Sequence, residues 1–143
     1  IDDVGDRARE NADSGSDTIF SSISLTLGVN IENLTLTGSD SINAKGNGLA
    51  NSLTGNTGNN LLTGGLGADL IVFHAGCGQD TIGDFQLGQG DALQIDGSVG
   101  DAVISQVGRN AVIDLGNGNT ITVLNVTATD SAFLSAITWI EAM

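Results

Sequence analysis

The sequence predicts an all-β chain wound as a parallel β-roll, that is, a right-handed β-solenoid closed by a C-terminal β cap and a short terminal helix. Three observations predict it. The 143 residues include 21 Gly and no Pro, about twice the usual share of Gly in a soluble protein. The acids comprise 14 Asp against 3 Glu, and Asp favours turns and metal loops where Glu favours helices. Residues 46–54, 55–63 and 64–72 read GNGLANSLT, GNTGNNLLT and GGLGADLIV, three nonamers in unbroken tandem, and a fixed short period is the mark of a stacked-repeat architecture.

The elements follow in chain order within one domain, 1–143. Residues 1–37 are opening strands. Of these, 1–13 are polar and carry Arg7 and Arg9, which makes them an outer coil of a longer roll or a loose end. Over 18–37 the apolar residues Ile19, Ile23, Leu25, Leu27, Leu34 and Leu36 are spaced by polar residues or a short turn, the pattern of half-buried strands. Residues 38–96 form the nonapeptide roll. Gly opens each nonamer at 46, 55 and 64; the sixth position holds Asn51, Asn60 and Asp69, and the eighth holds Leu53, Leu62 and Ile71. Gly enters positive-φ turns without steric cost. A three-residue strand buries little alone, but stacked strands bury a continuous face. With two nonamers per coil, strands alternate between two parallel sheets, so Leu53 stacks on Ile71 at a spacing of about 4.8 Å and Leu62 lies between Ile42 and Ile82. The triplets Asp40-Ser41-Ile42 and Asp80-Thr81-Ile82 extend the acid-x-apolar step on either side, through turns lengthened by two residues.

Residues 97–143 make the cap. Strands are predicted at 102–107, 111–115 and 119–126, with Gly108-Arg109-Asn110 as one turn and Gly116-Asn117-Gly118 as a hairpin turn. Asp130 is placed to cap a short helix whose Phe133, Leu134, Ile137 and Ile140 share one face.

Charge excludes several functions. With 4 Lys and Arg against 17 acids the formal net charge is −13, so there is no basic patch for nucleic acid and an anionic membrane surface repels the chain. No apolar run reaches the ~20 residues of a membrane-spanning helix. Cys77 and His74 are each alone of their kind, which rules out a disulfide within the chain and zinc sites built from several Cys or several His. They stand three residues apart with nothing marking an oxyanion site, and the Asp residues keep a nonamer rhythm that metal loops explain and paired-carboxylate catalysis does not. The chain by itself is read as no enzyme.

The third nonamer, Gly64-Gly65-Leu66-Gly67-Ala68-Asp69-Leu70-Ile71-Val72, matches G-G-x-G-x-D-x-U-x at every specified position. Ser14-Gly15-Ser16-Asp17-Thr18-Ile19, Ser21-Ser22 and Ile31-Glu32-Asn33-Leu34-Thr35-Leu36-Thr37-Gly38 precede it. Gly78-Gln79-Asp80-Thr81-Ile82-Gly83-Asp84-Phe85 and Gly90-Asp91 follow. Over about residues 14–96 the chain therefore resembles the hemolysin-type calcium-binding repeats of RTX proteins. The resemblance implies a calcium-binding module at the C-terminal side of a larger secreted, extracellular protein. It also implies folding on Ca²⁺ after export and a C-terminal segment, up to Met143, that is read by the type I secretion machinery. It makes Asp69 a side-chain ligand, with Asp80 and Asp40 next, Asn51 and Asn60 as charge-poor stand-ins, and Gly64, Gly67 and Asp84 completing the set. Ca²⁺ takes 6–8 oxygens, and Gly-rich turns expose carbonyls beside the Asp carboxylates. The alternative is a polysaccharide-binding accessory module, an adhesin or an ice-binding face; the low aromatic content of 3% counts against a sugar-binding face, and three nonamers are too few for the long flat rows of Thr and Asn that ice binding needs.

Overall fold

The computed structural model describes residue 2, residues 15–96 and residues 102–140. The remaining residues, among them most of the opening stretch with Arg7, Arg9 and Ser14 as well as Met143 with the end of the secretion segment, lie outside the described residues. Strands are short throughout: β1 (Thr18–Ser21), β2 (Leu25–Thr26), β3 (Asn33–Leu36), β4 (Ala44–Lys45), β5 (Ser52–Thr54), β6 (Leu61–Thr63), β7 (Leu70–Phe73), β8 (Gln79–Ile82) and β9 (Ala92–Asp96). A 3-10 turn at Leu87–Gln89 lies between the last two, and β10 (Val103–Val107), β11 (Asn110–Gly116), β12 (Asn119–Val123), helix α1 (Ser131–Ser135) and β13 (Ile137–Ile140) follow.

Two sheets result, and consecutive strands up to β9 alternate between them. The first runs β1-β3-β5-β7-β9-β13 and the second β2-β4-β6-β8-β12-β11-β10. All pairs of the first sheet are parallel. The second is parallel from β2 to β12 and antiparallel from β12 to β10. The expectation of two parallel sheets is corrected on this point: the second is mixed, because the C-terminal cap is an antiparallel hairpin fused to it. Its Gly116, Asn117 and Gly118 all take positive φ, at 86°, 55° and 80°, the backbone that reverses the chain and lets β12 return beside β8.

The apolar residue of each strand is what the stacking buries. In the first sheet Ile19, Leu34, Leu53, Ile71, Leu93 and Ile137 stand in register. In the second, Leu25, Ala44, Leu62, Ile82 and Val123 do the same. Leu34, Leu53, Leu62, Leu93 and Val123 are completely buried, and at about 25 cal/mol per Å² such aliphatic burial is the main term holding strands this short. Phe85 and Phe133 close the C-terminal end of the same core, edge to face with centroids 5.7 Å apart.

The second ladder corrects the predicted register. Leu62 faces Ala44 and not Ile42, because Ala44 keeps the nine-residue step to Leu53; its methyl group is buried, at 1% exposure. Ile42 falls in the preceding turn, and Asp40 with it is exposed. The predicted helical stripe also splits. Asp130 does cap α1, its carboxylate accepting from the Ala132 N–H at 2.9 Å, and Phe133 is buried, but Leu134 points outward. Ile137 and Ile140 belong to β13, which pairs in parallel with β9. A five-residue helix is too short to outweigh an open sheet edge, and Ile-Thr-Trp-Ile prefers strand. Among the described residues no helix is long and apolar enough to cross a membrane.

Candidate metal centre

The turns stack as the strands do, and two columns of polar side chains run along them. One comprises Asp17, Glu32, Asn51, Asp69 and Asp91, each just ahead of a paired strand residue. The other brings Asn60 beside Asp80. One hydrogen bond recurs: the backbone N–H of a column member donates to the side-chain oxygen of the next. Asp17 donates to Glu32 Oε2 at 3.0 Å, Asn51 to Asp69 Oδ1 at 2.9 Å, Asp69 to Asp91 Oδ1 at 2.9 Å and Asn60 to Asp80 Oδ1 at 2.8 Å.

The asparagines are saturated by the backbone. Asn51 Oδ1 accepts the Asn47 N–H at 2.8 Å, and its Nδ2 donates to the Ile31 and Glu32 carbonyls, both at 3.2 Å. Asn60 repeats this with the Asn56 N–H at 3.0 Å and the Ile42 carbonyl at 2.7 Å. Asn47 and Asn56, at the second nonamer position, anchor the turns further: Asn47 Nδ2 reaches the Gly28 and Ile31 carbonyls, and Asn56 Nδ2 those of Thr37 and Asp40. Asp40 thus contributes its carbonyl to the stack, and its acid is out of register with Asn60.

At the third nonamer the wiring changes. The second position is Gly65, and its N–H donates to Asp84 Oδ2 at 2.8 Å while the Gly64 N–H donates to Asp84 Oδ1 at 2.9 Å. Asp84 therefore takes the donor that in the earlier nonamers serves the sixth position. Asp69 is left with Oδ2 buried and without a hydrogen-bond partner; Asp80 Oδ2 is also buried without a nitrogen or oxygen partner, and the Cys77 thiol lies beside the Asp80 carboxyl. Asp69 is 2% exposed and Asp80 1%. Burial pushes both acids up to about 6, with the Asp91 and Asp84 charges adding to the effect at Asp69. Asp91 is raised as well, first by burial. A carboxylate stripped of water without a partner favours either a proton or a cation.

Space at the turn is set by missing side chains. A Cβ on Gly64 would fall on Asp69 Oδ2, and one on Gly46 would fall on Asn51 Oδ1 and the Gly64 carbonyl oxygen. Gly67, at φ +92°, would bring a Cβ within 2.8 Å of the Leu49 carbonyl. Oxygens crowd these bare glycines, the donor chemistry of a hard cation. Yet among the described residues no group of three or more His, Cys, Asp or Glu converges to hold a metal, so a cation there needs backbone carbonyls as well as Asp69.

Asp17, Glu32 and Asp91 are column members missed from sequence; for Asp91 the 3-10 turn at Leu87–Gln89 lengthens its turn and hides its place one step beyond Asp69. The signal was the acid-x-apolar step Asp91-Ala92-Leu93, with Leu93 continuing the apolar ladder. His74 and Cys77 do not form a pair with each other. His74 Nδ1 meets Asp96 Oδ2 at 2.6 Å on the surface, while Cys77 is buried and its thiol is pushed up to about 12 by burial and then by Asp80. No family model and no curated protein matches the chain.

Proposed function

We propose that the chain is a non-catalytic calcium-binding β-roll of the RTX type, the C-terminal module of a larger secreted protein that folds on Ca²⁺ after export. The observation that carries this reading is the orphaned, buried Oδ2 of Asp69 in the nonamer that fits the repeat pattern throughout. Asp69 and the carbonyls around Gly46 and Gly64 would hold the ion, with Asp80 in the corresponding place of the second column. When bound, Ca²⁺ supplies charge compensation and crosslinks successive turns. Alternation of strands between two sheets, with parallel pairing of every second strand, supports the roll; strand–crossover–strand connections of this kind are right-handed in ~98% of cases. In this reading residues 38–96 are the calcium roll and 97–143 the cap and terminal segment.

The chain's own residues divide the work. Asn47, Asn51, Asn56 and Asn60 hold the early turns by hydrogen bonds alone, so the metal acts on a frame already half closed. The test is far-UV circular dichroism and thermal melting in excess chelator, then on adding Ca²⁺ or Mg²⁺. Calcium at roughly millimolar concentration should raise the melting temperature by mass action and magnesium should not, its small octahedral shell being a poor match to loose turns. Identical melts in chelator and calcium would leave a purely hydrogen-bonded ladder as the function of these turns.

A further inference from the structure

The outer face of the second sheet carries a groove of about 280 Å³ across β2, β4 and β6, lined by Ser24, Thr26, Asn43, Lys45, Leu61 and Thr63. Its volume is near the lower end of small-molecule sites, which run ~300–1,000 Å³. Lys45 stands in register between Thr26 and Thr63. In a chain of net charge −13, it is one of two Lys or Arg residues among the described ones, and it makes no ion pair there.

The groove is rich in hydrogen-bond donors. Ser24 Oγ accepts the Asn43 N–H at 2.9 Å, and Asn43 Oδ1 accepts the Leu61 N–H at 3.1 Å. These bonds to the ladder fix both side chains with the Ser24 hydroxyl proton and the Asn43 Nδ2 protons left to offer a ligand. The Lys45 ammonium has donors only, and the Thr26 and Thr63 hydroxyls add two more. At the next rung Gly83 leaves the end open, since a Cβ there would lie 3.3 Å from Thr63 Oγ1 and 3.5 Å from a Leu61 methyl. Leu61 is 41% exposed and offers an apolar patch beside the donors.

A cluster of donors around one cation and one apolar side chain fits a ligand with a carboxylate, several further oxygens and an apolar C–H face. We propose that this groove binds a carboxylated sugar unit, with Lys45 on the carboxylate, Thr26, Thr63 and Asn43 on neighbouring oxygens, and Leu61 against the ring. None of the acids assigned to calcium lines the groove, so loss of sugar binding and loss of calcium binding are separable results.

The test is a ¹H–¹⁵N NMR titration of the full chain in saturating calcium, with D-galacturonic acid, D-galactose and sodium sulfate as separate probes. Galacturonate should shift the Thr26, Lys45 and Thr63 amides saturably, and galactose should bind about tenfold or more weakly, the usual scale for losing a charge-assisted hydrogen bond. Lys45→Gln should cause a similar loss, and Thr63→Val a smaller one, with spectra otherwise unchanged because both side chains lie at the surface. Sulfate binding as tightly as galacturonate would reduce the groove to a bare anion site. Equal binding of galactose, shifts mapping elsewhere, or indifference to Lys45→Gln would overturn the proposal.

Discussion

At Asp69 a single substitution separates the two uses of the ladder. An Asn there keeps the oxygen that accepts the Asn51 N–H and replaces the orphaned Oδ2 with a donor. In the earlier turn the matching amide of Asn51 reaches the carbonyls of its register partner Glu32 and of the residue before it, Ile31; for residue 69 the register places those of Asn51 and Ala50. Asp69→Asn should therefore stabilise the calcium-free protein at neutral pH, by about 1–3 kcal/mol, the cost of an unsatisfied buried polar group. It should also abolish most of the melting-temperature gain on adding calcium. Thermal melts with chelator and with calcium read both signs at once, and a loss of stability in chelator would show that Oδ2 has a partner after all.

Among the elements, the turns are built around absent side chains, and two glycines of one repeat family should behave oppositely. A Cβ on Gly64 collides with Asp69 Oδ2, whereas one on Gly48 meets nothing within 4 Å, and neither residue has positive φ. Gly64→Ala should destabilise by about 1–3 kcal/mol, as overpacking does, and Gly48→Ala should stay within about 0.5 kcal/mol of wild type; urea unfolding measures both. The same elements show what was legible. The in-register pair Asn51–Asp69 follows from an unbroken count of nine, and Asn60–Asp80 from the acid-x-apolar step carried across a turn two residues longer. The acid-x-apolar triplet pointed to Ile42 where the count of nine leads to Ala44, because a large aliphatic residue outweighs a small one in a reading of pattern. Ile137 and Ile140 were ambiguous for another reason: their spacing suits a helical face, and only the free edge of β9 makes a strand the better outcome. Asp84 taking the Gly65 N–H is a contact between successive turns of unequal length, which a local repeat does not encode.

For the whole molecule, buried acids tie stability to pH. Asp69 and Asp80 sit at about 6 when folded, against a model-peptide value of 3.8. Their folded-state affinity for protons is raised, so their contribution to stability is full below about 4 and is lost as pH rises through about 6. The calcium-free protein should accordingly melt at higher temperature at pH 5 than at pH 7. On the proposed calcium reading the ion would compete with those protons, so its affinity should fall as the pH drops over the same interval. Calorimetric melts and calcium titrations at the two pH values check both trends. A calcium-free melting temperature that rises toward pH 7 would mean that the two carboxylates are not the dominant titrating groups.

The alternation of strands between two sheets has a mechanical side. Pulled from the end near β1, the chain meets resistance only from the parallel partner next along each sheet, since β1 bonds to β3 and β2 to β4. Force would peel it in increments of two nonamers, 18 residues, each paying out roughly 60 Å of extended chain, and each increment is a low barrier. The other end behaves differently: β12 is held by β8 on one side and β11 on the other, and β13 is fastened to β9. Tension applied there first peels β13 from its one partner and then meets β12, gripped on both sides, so a chain stretched between its ends should come apart from the β1 side first.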